Sequence, residues 1–226
     1  MDTIKLIVTD DGSHSLYLPG MNETYHSSHG ALAESRHVFI KNGLLPVASR
    51  VTQRPIRVLE VGFGTGLNAL LARQQAEKLQ IPVHFTTLEP FPLPEEIYSQ
   101  LNYPALLGGS EGLAELFQQM HRAGWNEVTT VSPRFTLQKL KQRLEDFNDE
   151  GGYHVVFFDA FAPNKQEEVW DEALIQKVAD HMAPGGVLTT YCAQGKFRRS
   201  LKAAGLEVES VPGPPGKKEM TCGHKG

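Results

Sequence analysis

The chain has 226 residues, two cysteines and a formal net charge of −4. That size suits one domain with a decorated edge. The charge excludes a strongly basic nucleic-acid coat but leaves room for a local basic patch, and Cys192 and Cys222 supply neither a disulfide framework nor zinc spacing. No apolar run is long enough to span a bilayer and the N-terminus lacks a signal-peptide core, so a soluble cytoplasmic protein is expected.

Residues 4–8 and 16–18 are strand-like runs around Thr9-Asp10-Asp11-Gly12-Ser13, and Asp-Gly is a strong hairpin signal. Residues 21–50 are rich in polar and aromatic groups, among them Tyr25, His26, Ser27, Glu34 and Arg36. A helix is expected over residues 31–40, ended by Gly43. It reads either as a polar surface helix or as a cap over a pocket. Its histidines lack a clean metal-ligand spacing.

Residues 57–61 form a buried strand. The stretch Glu60-Val61-Gly62-Phe63-Gly64-Thr65-Gly66-Leu67-Asn68 then turns into a helix carrying Leu67, Leu70 and Leu71. Strand, glycine turn and helix start make a nucleotide-binding corner, because glycine lets backbone approach a ligand and the helix start offers free N–H groups. A dinucleotide fingerprint wants G-x-G-x-x-G, but here Leu67 stands at the third-glycine position. Glu60 at the strand end would repel a pyrophosphate and attract a cationic amino-acid cofactor. The stretch resembles motif I of class I S-adenosylmethionine-dependent methyltransferases.

The second strand, residues 83–89, ends in Glu89, a carboxylate placed to accept hydrogen bonds from ribose hydroxyls. The alternative is a strand-end carboxylate that merely faces solvent. After Pro90, Pro92 and Pro94, two helices are expected over residues 95–107 and 111–123, more than one crossover requires. A short strand follows at 127–131. Leu137, Leu140 and Leu144 then suggest a helix with Lys139, Lys141 and Arg143 on its solvated face. Residues 153–159 are a continuous apolar run ending in Asp159, as expected of a central parallel strand. A helix over 169–182, a turn at 183–186, a strand over 187–191, a helix over 196–204 and two antiparallel strands, 206–211 and 219–222, complete the chain. The expected fold is α/β: a Rossmann-like, mostly parallel sheet with helices on both faces and an N-terminal β-hairpin and lid. Residues 1–50 form the hairpin and lid and residues 51–226 the methyltransferase domain, as one compact unit.

In such a sheet ligands bind beyond the carboxyl ends of the strands, where Glu60, Glu89 and Asp159 fall. Methyl transfer to an amine requires alignment and removal of a proton. Asp159, followed by Phe161 and Pro163, suits that task, with Phe161 packing on a flat ring or shielding a sulfonium. The plainer role for Asp159 is a helix cap.

Several further stretches carry a narrower resemblance: residues 27–39, Asp159-Ala160-Phe161-Ala162-Pro163-Asn164-Lys165 with Trp170 behind it, residues 190–201, and Lys217-Lys218-Glu219-Met220. Together with the glycine turn, they are similar to the tRNA 5-methylaminomethyl-2-thiouridine methyltransferases. The resemblance implies S-adenosylmethionine-dependent N-methylation of the 5-aminomethyl group of (2-thio)uridine at the tRNA wobble position. It implies that Glu60, Gly62, Gly64, Gly66, Asn68 and Glu89 hold the cofactor and that Asp159 is the acid–base or orienting residue. It also implies that Tyr25, Ser27, Glu34 and Arg36 line the lid, and that Phe161, Pro163 and Lys165 face the substrate. Some members of the family are fused to a C-terminal oxidoreductase. No second glycine fingerprint precedes Gly226, so the stand-alone form is expected, with a separate enzyme supplying the aminomethyl intermediate. Lys196, Arg198, Arg199 and Lys202, with Lys217, Lys218 and Lys225, form either a strip for tRNA phosphates or a plain solvated face. The wobble base would be splayed into the pocket and stacked on aromatics. The alternatives are a methyltransferase acting on a small-molecule amine without RNA, a non-catalytic nucleotide-binding module, and a dehydrogenase.

Overall fold

A computed structural model describes residues 4–52, 54–109 and 111–226. Strands β1 (Lys5–Val8) and β2 (His14–Leu18) form the expected antiparallel hairpin, and β3 (Glu23–Thr24) adds a third strand to this small sheet. The hairpin turn also starts the next helix. Ser13 Oγ accepts the Ala31 N–H at 3.0 Å and Asp11 Oδ2 accepts the Ala33 N–H at 2.9 Å. These side chains satisfy amides that the N-cap, Gly30, has no side chain to reach. A Cβ at Gly30 would strike the Asp11 carboxylate.

Helix α1 (Ala31–Ser35) runs on through a π-helical stretch, Arg36–Leu44, into α2 (Leu45–Arg50). Gly43 therefore does not end the helix, contrary to the sequence expectation. It is the contact point that lets the helix lie on the sheet. A Cβ there would sit 3.1 Å from both Phe157 Cε1 and Thr189 Oγ1. Inside the wide π winding, Asn42 Nδ2 donates to the His37 carbonyl at 2.7 Å. Gly43→Val is expected to cost about 2 kcal/mol of stability through overpacking. Urea denaturation would measure it, and an unchanged midpoint would mean that the helix does not press on the sheet here.

The main sheet contains β4 (Ile56–Val61), β5 (Val83–Leu88), β6 (Glu127–Ser132), β7 (Phe135–Leu140), β8 (Tyr153–Phe158), β9 (Met182–Thr190), β10 (Leu206–Pro212) and β11 (Glu219–Lys225), in the order β10-β11-β9-β8-β4-β5-β7-β6. The five central strands, β9-β8-β4-β5-β7, are parallel; β6 at one edge and β11-β10 at the other are antiparallel. Helix α3 (Leu67–Leu79) follows β4, α7 (Glu172–His181) precedes β9 and α8 (Gly195–Ala203) follows it. β8 is buried on both faces, as its apolar run requires. Val155 and Phe157 join a core with Leu16, Val38 and Leu70, while Val156 and Phe158 join another with Ile175 and Leu201. The hairpin and lid thus share a core with the sheet.

Three expectations fail locally. Residues 135–140 are strand β7, not helix: Phe135, Leu137 and Lys139 are buried in alternation. A lysine in the inward series hid the period of two, and the leucine spacing imitated a helix. Lys139 is 1% exposed, so it belongs to the core and not to a solvated face. Its ammonium donates to the His121 carbonyl at 2.5 Å and lies 4.6 Å from the centroid of the Trp125 ring; burial pushes it down to about 8.

Residues 95–107 are two single turns, α4 (Glu95–Tyr98) and α5 (Tyr103–Leu106), because Pro104 cannot continue a helix through the preceding turn. The break serves a purpose. Asn102 accepts the His14 N–H and donates to the Gly12 carbonyl, both at 2.9 Å, which ties this insertion to the hairpin. Helix α6 (Glu111–Arg122) follows.

Finally, residues 183–186 are counted in β9 but bulge out of its pairing with β8, because Met182 pairs with Tyr153 and Val187 with Val155, and Gly185 bends the chain there at φ +73°. The helix expected over 169–182 divides into a 3-10 turn, Glu167–Trp170, and α7 capped by Asp171, whose Oδ1 accepts the Ala173 N–H at 2.8 Å.

Candidate active site

A cavity of 860 Å³ opens at the carboxyl ends of the parallel strands, between the glycine turn, the loops after β5, β7 and β8, and the N-terminal segment. The three glycines of the turn each have positive φ, at +96° for Gly62, +48° for Gly64 and +73° for Gly66. Each also abuts a different element. A Cβ on Gly62 would lie 2.7 Å from the Asp159 carbonyl oxygen, one on Gly64 3.0 Å from the Tyr25 ring, and one on Gly66 2.9 Å from His121 Nε2. Gly66 is the N-cap of α3 and offers no side-chain cap, so the first amides of that helix remain for a ligand.

Two histidines that carried no role in the sequence grip the turn through Thr65. His26 Nε2 lies 2.7 Å from Thr65 Oγ1, and His121 Nε2 donates to the Thr65 carbonyl at 3.1 Å. His121 stacks on Tyr98 with ring centroids 4.2 Å apart. Burial pushes His26 down to about 4 and His121 to about 3, so both are neutral imidazoles near pH 7. Helical spacing of Phe117 and His121 on α6 was the available signal, but it does not show what the imidazole meets.

Glu89 lies in the cavity wall. Its Oε2 accepts the Gly64 N–H at 3.0 Å and its Oε1 the Phe91 N–H at 2.8 Å. Burial raises its pKa and these two N–H groups oppose the rise. A carboxylate has lone pairs beyond the two used here, enough for a pair of hydroxyls. Glu60, which the resemblance assigns to cofactor binding, is placed deeper than Glu89. It is 1% exposed and lies outside the cavity wall, with Oε2 accepting from Thr87 Oγ1 at 2.7 Å. Burial pushes its pKa well up, and the charges of Asp159 and Glu89 add to the rise.

Asn68 does reach the cavity, and its Nδ2 donates to Asp159 Oδ2 at 2.8 Å. Among the described residues, Glu60 Oε1 and Asn68 Oδ1 are buried acceptors without a donor. Orphaned acceptors behind a glycine turn, a carboxylate free to take hydroxyls and uncapped helix amides together fit the ammonium, ribose and carboxylate of an adenosyl amino acid.

Asp159 is half-buried in the cavity wall, and its N–H donates to the Val61 carbonyl at 3.1 Å. Burial, reinforced by the Glu34 charge, pushes its carboxyl up to about 7, while the Asn68 hydrogen bond and the Lys217 charge pull it down. The backbone beyond it is clamped twice. Tyr191 Oη donates to the Ala160 carbonyl at 2.7 Å and Trp170 Nε1 to the Phe161 carbonyl at 2.8 Å. Phe161 meets Tyr25 edge-on, ring centroids 5.1 Å apart, on the cavity wall. Lys165 also lines the cavity, but its ammonium is held by the carbonyls of Met21 (2.9 Å) and Asn22 (3.1 Å).

The other expected site residues divide. Tyr25, Ser27 and Glu34 line the cavity, with the Ser27 N–H donating to Glu34 Oε2 at 2.9 Å, whereas Arg36 is exposed and outside the wall. Pro163 and Lys196 border a separate shallow groove instead. Arg198 is committed internally: its guanidinium donates to Thr221 Oγ1 and Ser210 Oγ, both at 3.0 Å, and to Glu219 Oε2 at 3.1 Å, holding the β10–β11 pair. Lys225 donates to the Ala179 carbonyl. Lys196, Arg199 and Lys202 are exposed along α8, so the basic strip is shorter than the sequence suggested.

Comparison with known proteins agrees with this geometry. A family profile described as S-adenosyl-L-methionine-dependent methyltransferase matches residues 115–226. The tRNA 5-methylaminomethyl-2-thiouridine biosynthesis bifunctional protein MnmC of Cupriavidus necator is 34% identical over 217 residues, covering 91% of this chain and 32% of that protein. Its counterpart from Aromatoleum aromaticum is 32% identical over 234 residues, covering 99% of this chain and 36% of the relative. The chain thus spans about a third of the length of these relatives. Among solved structures, MnmC2 from Aquifex aeolicus superposes with a TM-score of 0.77 at 23% identity, covering 99% of this chain and 70% of that one, a likeness of fold. The strand order, the glycine corner, the orphaned acceptors and these matches lead to one assignment: the chain belongs to the S-adenosyl-L-methionine-dependent methyltransferases, in a family shared with the MnmC proteins.

Proposed function

We propose that this methyltransferase N-methylates the 5-aminomethyl group of (2-thio)uridine at the tRNA wobble position, giving 5-methylaminomethyl-(2-thio)uridine. The observation that carries the reading is Asp159, a carboxylate in the cavity wall, hydrogen-bonded to Asn68 and followed by Phe161. The names of the relatives supply the nucleoside. S-adenosyl-L-methionine, when bound, supplies an electrophilic methyl on a sulfonium, and its transfer to a primary amine leaves a thioether and one surplus proton. Gly62, Gly64, Gly66, Asn68 and Glu89 would hold it, with Glu60 Oε1 a further acceptor beneath the turn. Asp159 receives the surplus proton on the carboxylate oxygen that Asn68 leaves free, and so keeps the acceptor nitrogen's lone pair directed inward. Tyr25 and Phe161 provide an aromatic corner for a base taken out of its stack. Lys196, Arg199 and Lys202 give the RNA backbone its contacts. The reaction takes place in the cytoplasm with the tRNA pool.

The competing reading is a small-molecule amine. Rates on an anticodon stem-loop carrying the aminomethyl nucleoside, compared with the free nucleoside over rising salt, separate the two. A stem-loop advantage that falls with salt is expected. Equal rates without salt dependence would move the assignment to small amines.

A further inference from the structure

Lys217, in the connection between β10 and β11, lines the same cavity as Asp159. Its ammonium is 3.1 Å from Glu34 Oε1 on α1 and 3.8 Å from the centroid of the Tyr191 ring. The Glu34 side chain is 8% exposed, and its second oxygen is taken by the Ser27 N–H. The end of β10, just before this connection, is also fastened to the lid, where His37 Nε2 donates to the Pro212 carbonyl at 2.8 Å. An ion pair between segments 183 residues apart in sequence thus closes over the aromatic ring whose hydroxyl fixes Ala160, next to Asp159.

Glu34 on α1, Lys217 on the C-terminal connection and Tyr191 after β9 line the cavity that Asp159 lines, and their charges act on its carboxyl, as does that of Glu60 on β4, while the neutral Asn68 amide donates to it from α3. Glu34 and Lys217 act in opposite senses. The anion disfavours the carboxylate and the cation favours it, and burial weakens the solvent screening that would otherwise cancel both.

We propose that Glu34 and Lys217 are positioning residues whose ion pair holds opposed charges against the Asp159 carboxyl and thereby sets the pH at which that carboxyl becomes a proton acceptor. Its consequence for catalysis rests on Asp159 as the acceptor in the reaction above; the titration of the carboxyl itself does not. A role confined to fastening the lid would predict that either substitution loosens the site in the same direction. Opposed charges predict opposite shifts.

The test is carboxyl titration by carbon-13 NMR of the full cofactor-free chain, with the Asp159 signal assigned by its loss in Asp159→Asn. Lys217→Met is expected to raise the midpoint by at least about half a pH unit and Glu34→Gln to lower it, in line with what neighbouring charges do. The double variant should return close to the parent, and Lys217→Arg, which keeps the charge, should leave the midpoint in place. The acid limb of the methyl-transfer pH profile should move with these midpoints. Single variants that shift in the same direction, or not at all, would overturn the proposal. If Glu34→Gln does not fold, Lys217→Met against Lys217→Arg decides alone. Opposite shifts in a protein that methylates no tRNA would keep this inference and reject the substrate.

Discussion

Asp159→Asn is expected to lower the rate of methyl transfer by roughly 10²–10⁴-fold, the range for a lost general base, while cofactor affinity changes by less than about tenfold. Asparagine keeps the size of the side chain and an oxygen for Asn68 Nδ2 to donate to, and the hydrogen bond from the residue 159 N–H to Val61 is backbone. Only the proton acceptor is removed. The same substitution should stabilise the protein. In the fold the carboxyl is pushed up to about 7 from the usual 3.8. Between those values the folded chain binds more protons than the unfolded one, so stability falls as pH rises. The variant escapes that loss and should gain at least about 1 kcal/mol over the parent near pH 8, with the gain fading towards pH 4. Single-turnover rates, calorimetric binding and denaturation at the two pH values measure all three. A large loss of cofactor binding with an intact rate constant would show that Asp159 belongs to the cofactor and not to the acceptor.

Gly62→Ala should be the most damaging change in the turn. Its φ of +96° is strained for any side chain, and the new Cβ would lie 2.7 Å from the Asp159 carbonyl oxygen. That oxygen belongs to backbone pinned by the Asp159 N–H bond to Val61, so it cannot rotate aside. A loss of about 2–4 kcal/mol is expected from strain and overpacking together, with cofactor binding weakened by about tenfold or more as the turn shifts. Gly64→Ala should cost less, because its Cβ meets only the edge of the Tyr25 side chain, at 3.0 Å. Urea denaturation with parallel calorimetry ranks the two. Equal tolerance at both positions would contradict the close approach of the turn to β8.

These two sites were readable in the sequence because their signals are local. A continuous apolar run with an acid at its end marks a parallel strand and places the acid at the ligand edge, which is where Glu89 and Asp159 lie. What escaped reading depends on contacts between distant segments. Lys139 sits in an inward strand position because the Trp125 and Phe63 ring faces receive its ammonium, at 4.6 Å and 5.5 Å, and nothing near it in sequence announces them. Gly43 looks like a helix stop until Phe157 and Thr189 are seen against it. Glu60 faces inward where Glu89 faces the cavity, a difference of depth that the shared strand-end pattern does not encode. Arg198 resembles a phosphate contact on its helix, and only the fold brings Ser210, Glu219 and Thr221 to it.

The central claim is the reaction, and methyl incorporation from labelled S-adenosyl-L-methionine into tRNA lacking only the final wobble methyl, followed by nucleoside analysis, tests it most directly. Label recovered in 5-methylaminomethyl-(2-thio)uridine is the predicted result. An unlabelled tRNA, with the cofactor bound in parallel calorimetry, would contradict the tRNA assignment while leaving the methyltransferase fold and its cofactor site in place.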